Sequence, residues 1–193
     1  MEARQTLDYE SRSRICEEKK RRDRLIRLAI NHPNWALGFA DEVWWRRFAQ
    51  PDQHTWVDHD TPRRLEELNR VTNHPDPKAL ACYGLLLRHQ PHQPDQMLLR
   101  FVDGRPISAV TIDFLAWACE RLAAQGMSAL LLIWDNATWH KSQQVRDWLG
   151  SHNTTVKQTG QGVRIVPCLV PSKSPWLNPI EPKWVNGKRA RSR

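Results

Sequence analysis

No apolar run in this 193-residue chain is long enough to cross a bilayer. The longest, Ala129 to Trp134, covers six residues, where a spanning helix needs about 20. Residues 1–30 are charged and lack an apolar signal core, so no secretory route is expected. The sequons at Asn136 and Asn153 carry no weight without one. Cysteine is sparse: Cys16, Cys82, Cys119 and Cys168 are scattered, with no C-x-x-C pair. That spacing excludes a disulfide frame and a zinc knuckle, and the thiols read as reduced and cytosolic. Acidic residues are the scarcer charge, 21 against 29 Lys and Arg, for a net charge of +8. A basic domain of this kind most often meets a polyanion, nucleic acid first; the alternative is a globular protein whose basic tails keep it soluble. What is abundant is tryptophan, ten residues, expected mostly in the core or lining grooves. With 40% hydrophobic and 26% charged residues, the composition is globular and the length suits one domain.

Residues 10–30 hold eight Lys/Arg and four Asp/Glu without glycine or proline, which predicts a charged helix. Its last turns offer Leu25, Ile26, Leu28 and Ile30 for docking, and residues 1–9 are expected to be loose. Asn31-His32-Pro33-Asn34 ends it. Trp35 to Trp45 reads as a strand in which Leu37, Phe39 and Asp41 share a face. Residues 50–77 are loop-rich, with one short strand at Thr55–Val57. Ala79–Arg88 and Gln96–Val102 suit a strand pair across a proline-marked turn (Pro91, Pro94). Apolar spacing from Ile107 to Gln125 predicts a helix stopped by Gly126, and Ala129–Trp134 a strand buried on both faces. Ser142–Leu149 reads as a short helix ending at Gly150, 151–162 as a flexible insertion, and Val163–Val170 as a last strand. Such an order makes a mixed sheet flanked by helices.

Three carboxylates stand in contexts that need a reason. Asp41 lies in the apolar strand sequence Phe39-Ala40-Asp41-Glu42, where aspartate is disfavoured; an exposed face paired with Arg46 would explain it without chemistry. Asp135 follows the buried strand in Trp134-Asp135-Asn136-Ala137-Thr138-Trp139-His140. Sites in α/β sheets gather at strand carboxyl ends, though an Asp-Asn turn bonding its own backbone also fits. Glu181 lies in Ser174-Pro175-Trp176-Leu177-Asn178-Pro179-Ile180-Glu181-Pro182-Lys183-Trp184. Asn178 there suits a helix cap, with Pro179 at the first position and Glu181 closing a capping box. Pro182 weakens that reading, and the helix can instead start at Pro182 with Glu181 as cap. Together the three have a chemical rationale. Hard divalent ions such as Mg²⁺ or Mn²⁺ prefer oxygen ligands, and a pair about 4 Å apart can activate water and steady a leaving oxygen in phosphodiester cleavage. Without metal the carboxylates repel, and at least one pKa should rise.

The three motifs, in this order, resemble the acidic triad of DDE transposases, and most of all the mariner-like group of bacterial insertion-sequence transposases. The resemblance runs from about Trp35 to Lys188. It implies an α/β, ribonuclease-H-like fold with a mixed five-stranded sheet flanked by helices. Asp41 would sit on the first strand, Asp135 at the end of the fourth and Glu181 at the start of the last helix, together binding Mg²⁺, with Mn²⁺ as substitute and two ions when DNA is bound. It implies cutting of transposon-end DNA and joining of the freed 3′-hydroxyl to target DNA, at a TA step, by a nucleoid-associated cytoplasmic bacterial protein that can pair as a homodimer. Asp135 and Glu181 are 46 positions apart, a wider gap than the family shows, and the surplus is expected in the 151–162 loop, where added length costs little.

Around the triad, Asn136, His140, Lys141, Lys173, Asn178, Lys183 and Lys188 are the candidate substrate contacts. His140 either orients substrate or caps the following helix. Glu42, on the opposite strand face from Asp41, is expected to pair structurally. Gln53-His54 with Asp58-His59-Asp60 offers a rival metal cluster that matches no zinc spacing. Arg46, Arg47, Arg189 and the tail to Arg193 add phosphate-neutralising charge. The chain thus reads as a charged helical arm (1–34) followed by a catalytic domain (35–193) with a truncated C-terminal helix. Any helix-turn-helix reading segment would be encoded elsewhere. The alternative reading is a catalytically dead remnant that binds DNA non-specifically.

Overall fold

The computed structural model describes residues 2–46, 79–88, 94–171 and 174–185, with side chains from residue 15 onward except at 45, 46, 79 and 175. The elements are α1 (Glu2–Ile30), β1 (Trp35–Arg46), β2 (Ala79–Arg88), β3 (Gln96–Asp103), α2 (Ser108–Ala124), β4 (Ala129–Trp134), α3 (Gln143–Thr159) and β5 (Arg164–Leu169). A 3₁₀ turn at Pro175–Leu177 and a helix at 181–185, α4, follow. The five strands form one sheet in the order β3-β2-β1-β4-β5. β1 pairs antiparallel with β2 and parallel with β4; β3 is antiparallel to β2 and β5 parallel to β4. This is the mixed ribonuclease-H-like arrangement expected from the sequence.

Alternation along the strands divides the core. Ala36 and Ala40 of β1 and Leu130, Leu132 and Trp134 of β4 face α2 and α3. Leu37 and Phe39, with Leu131 and Ile133, face Ala29, Leu25 and Ile26 of α1 and Leu177, Ile180 and Trp184 of the C-terminal segment. β4 has neighbours on both edges and helices on both faces, and all six of its residues are buried, as a continuous apolar run requires.

The structure departs from the sequence expectations in three places. Helix α1 starts at Glu2 rather than near residue 10, and only part of its apolar end docks: Leu28 and Ile30 are exposed. Helix α3 does not end at Gly150. It runs to Thr159 and stops at Gly160, which has φ 66° and donates to the Val156 carbonyl. A mid-helix glycine costs roughly 1 kcal/mol, and long-range bonds to β5 offset it. Asn153 donates to the Ile165 carbonyl and accepts from its N–H, both at 2.8 Å, and the His152 ring bonds the Val163 carbonyl at 2.8 Å. Most of the 151–162 stretch expected to be a loop is therefore helix. The C-terminal helix starts at 181, and Asn178 does not cap it. The 50–77 stretch, where a strand at Thr55–Val57 is expected, the rival cluster at 53–60, the Pro91 turn, Arg47, Lys173, Lys188, Arg189 and the Arg46 side chain lie outside what is described.

Candidate active site

The parallel register places the two aspartates level. Its last pair is Phe39 with Ile133; two residues further along stand Asp41, still on β1, and Asp135, one residue past the end of β4. By alternation both belong to the face lined by Leu37, Phe39, Leu131 and Ile133. Asp41 lies opposite Gly84 of β2, and Gly84 is what lets the C-terminal segment close over that point. A methyl group there would come within 2.6 Å of the Trp184 ring and 3.0 Å of Ile180 Cδ1. Ile180 is fully buried and flanks Glu181, so the third carboxylate rises from the segment lying beside Asp41.

The electrostatics report the same convergence. Asp41 is 9% exposed, and no Lys or Arg among the described residues is paired with it. Its pKa is pushed up to about 8, by burial first and then by the charges of Glu181, Glu42 and Asp135. Asp135 behaves oppositely. Burial pushes its pKa up, but the His140 hydrogen bond, the Ala137 N–H and the charges of His140 and Lys141 together outweigh that and hold it below the usual range. Its Oδ1 accepts both bonds, from His140 Nδ1 at 2.8 Å and Ala137 N at 2.9 Å; among the described residues none bonds Oδ2.

His140 is the largest surprise of the site. Its side chain is wholly buried. Nδ1 donates to Asp135 and Nε2 to Glu42 Oε1 at 2.9 Å, and two carboxylate acceptors require both ring nitrogens protonated. Burial works against that charge, but the bonds and charges of Asp135 and Glu42 prevail and raise its pKa to about 9. The ring stacks on Trp134 at 4.4 Å and meets the edge of Trp139. Trp139 Nε1 also donates to Glu42, at 3.3 Å. Glu42 is thus the structural partner expected of it. His140 does not cap α3; Ser142 is the cap, accepting from the Val145 N–H.

The other candidates divide the same way. Asn178 is buried and donates to the Ala40 carbonyl at 3.0 Å, tying the Glu181 segment to β1 beside Asp41. Its Oδ1 is buried and takes no hydrogen bond. Asn136 donates to the Val170 carbonyl and joins the end of β4 to β5. Lys141 and Lys183 are exposed. Sequence reasoning missed Trp139 and did not name His140 as the partner of Glu42; the only local signal was the unusual aromatic density around Asp135.

Asp41, Asp135 and Glu181 offer oxygen donors alone, a set that suits a hard divalent cation. The uncompensated Asp41 and the orphaned Asn178 oxygen mark this edge as short of positive charge and hydrogen-bond donors, so the residues fit such an ion. Among the described residues no three acidic, histidine or cysteine side chains stand close enough to hold one as they are. The same residues include no helix long and apolar enough to cross a membrane.

Among solved structures, the chain is similar to the Mos1 strand transfer complex at 16% identity and a TM-score of 0.49, covering 94% of this chain and 47% of that one. Similarity to the Mos1 transposase paired-end complex with the left transposon end gives 17% identity and a TM-score of 0.48, with coverage of 93% and 47%. The chain thus spans about half the length of these proteins. No curated protein matches it. A family model described as DDE superfamily endonuclease matches residues 36–193, which hold all of the sheet but Trp35 and include Asp41, Glu42, Asp135 and Glu181. The chain belongs to the DDE superfamily of endonucleases.

Proposed function

We propose that residues 35–193 are the catalytic domain of a mariner-like transposase, preceded by the helical arm 1–34, and that Asp41, Asp135 and Glu181 are its metal-binding carboxylates. The observation that carries this reading is the electrostatic convergence of the three at one end of the sheet, with Asp41 held in want of a cation. Divalent ions, Mg²⁺ or Mn²⁺, would supply there an activated water and stabilisation of the leaving oxygen of a phosphodiester. The chain's own contributions are positional. The His140 bond fixes the rotamer of Asp135 and leaves Oδ2 available. The Asn178 bond to Ala40 holds the Glu181 segment against β1. Burial on the sheet keeps water from screening Asp41. The exposed Lys141 and Lys183 flank the carboxylates and suit the phosphates on either side of a scissile bond, as does the net charge of +8. The substrate is DNA, cut at transposon ends and joined to target DNA by a protein acting at the bacterial nucleoid as a homodimer.

The test is supercoiled DNA carrying transposon ends, incubated with Mn²⁺. Wild type nicks it and Asp135→Ala does not; equal cleavage by both rejects the assignment. The open spacing of the carboxylates favours a second reading, a catalytically dead remnant that still binds DNA non-specifically. Calorimetry decides between them: the remnant binds DNA but shows no Mn²⁺ binding that depends on Asp41 or Asp135.

A further inference from the structure

Helix α1 lies outside the family match, which starts at residue 36, yet one of its side chains reaches the segment that carries Glu181. Arg22 is 12% exposed. Its Nε and Nη2 both donate to Asp23 Oδ1, at 3.0 and 2.7 Å, which fixes the plane of the guanidinium. Nη1 is left to donate to the Leu177 carbonyl at 3.0 Å. Leu177 closes the 3₁₀ turn, and the next residue, Asn178, donates to Ala40 of β1. Two consecutive residues are therefore held, one by α1 and one by β1, just ahead of Glu181. The fixation passes onward through the backbone. The Glu181 N–H donates to the Asn178 carbonyl at 3.2 Å and the Lys183 N–H to that of Ile180 at 2.9 Å. Apolar packing backs the polar bonds, because Leu25, Ile26 and Ala29 of α1 share a core with Leu177 and Ile180.

A surface helix meant only to link would gain nothing by burying an arginine. The desolvation of a guanidinium is offset only by well-aimed acceptors, and here one of them is the main chain of an irregular segment. Such a carbonyl has no ladder partner of its own and depends on a side-chain donor.

We propose that Arg22 is a positioning residue for Glu181, and that α1 is a working part of the catalytic unit rather than a detached arm. This rests on the reading of Glu181 as a metal-binding carboxylate. Displacement of α1 withdraws the Leu177 contact, and the segment keeps its Asn178 tie to β1 and the packing of Ile180 and Trp184 on the sheet.

The experiment uses the full chain and two readouts. Hydrogen exchange without metal follows the amides of Leu177, Glu181 and Lys183. Arg22→Met, which keeps the apolar stem, raises their exchange about tenfold, the scale of one charge-assisted hydrogen bond, and leaves Leu130 to Leu132 of β4 unchanged as an internal check on folding. Asp23→Ala, a change at a side chain 40% exposed, frees the guanidinium and moves the same three amides in the same direction. Mn²⁺ titration is the second readout, and Arg22→Met weakens affinity by about tenfold. Unchanged exchange at those amides in both variants overturns the tether. Faster exchange with Mn²⁺ affinity intact, while Glu181→Gln weakens it, overturns the positioning role. Intact Mn²⁺ affinity in Glu181→Gln instead defeats the reading of the triad, and with it the role assigned to Arg22.

Discussion

Asp41 sits on β1 and Asp135 directly follows the neighbouring parallel strand β4, and the protein treats them in opposite ways. Asp135 is given a permanent counter-ion. His140 donates to it, stacks on the preceding Trp134 and anchors its far nitrogen on Glu42. Asp41 is given none; it is buried among other acids and driven up to about 8. The contrast teaches where the electrostatic deficit of the site resides. One carboxylate is fixed as an anion before any ligand arrives. The other becomes an anion at neutral pH only if a cation joins it, which couples metal binding to proton release.

The comparison breaks most severely at His140. His140→Ala removes the shared counter-ion and strands Glu42, whose side chain is 5% exposed. Breaking a buried pair on one side costs about 3–5 kcal/mol, and denaturant unfolding at pH 7 reads this directly. Adding Glu42→Gln recovers part of the loss, since the buried charge left behind is gone. A single-variant cost below about 1 kcal/mol would mean that the bridge compensates nothing.

Asp41→Asn reverses the sign. The folded-state pKa of Asp41 lies above the unfolded value of 3.8, so the fold binds a proton that the unfolded chain has released, and stability falls as pH rises from about 4 to 8. The amide escapes that penalty. The variant is more stable than wild type at pH 8, on the order of a few kcal/mol, while losing cleavage. At pH 4 the two converge. A variant no more stable at pH 8 than wild type shows that Asp41 carries no strain. The slope with pH gives a subtler check. His140, raised to about 9, contributes stability fully below about 6.5, and that contribution is lost as pH rises through 9. Wild type therefore weakens across pH 5–9 from both groups, and Asp41→Asn only across the upper part.

Much of this was legible in the sequence because it depends on local period. Alternation alone puts Asp41 with Leu37 and Phe39, the six-residue run of β4 declares its own burial, and Asp135 follows from where that run ends. What stayed hidden depends on contacts between distant positions. Nothing near His140 announces Glu42, 98 positions away, and nothing in the charged arm distinguishes Arg22, whose acceptor is 155 positions along the chain. Asn178 looked like a cap because its neighbours fit a capping pattern; a longer-range acceptor on β1 took the same amide. The extension of α3 was missed for the same reason. Gly150 and the polar residues after it argue for a loop, and only the bonds of His152 and Asn153 to β5 argue for a helix.

That extension supplies the smallest effect and a control on the comparison. Gly150 is exposed in mid-helix, and a methyl group added there meets nothing within 4 Å. Gly150→Ala should therefore stabilise the protein by about 0.5–1 kcal/mol, mostly by narrowing the unfolded ensemble. The gain has no titratable origin, so it must be the same at pH 5 and pH 8. Combined with Asp41→Asn it should add without interaction, because the two sites share no partner. A gain from Gly150→Ala that varied with pH would show that slope differences between variants track overall stability, and the contrast drawn between the two aspartates would then need a measurement other than unfolding, such as direct titration of each carboxyl carbon by NMR.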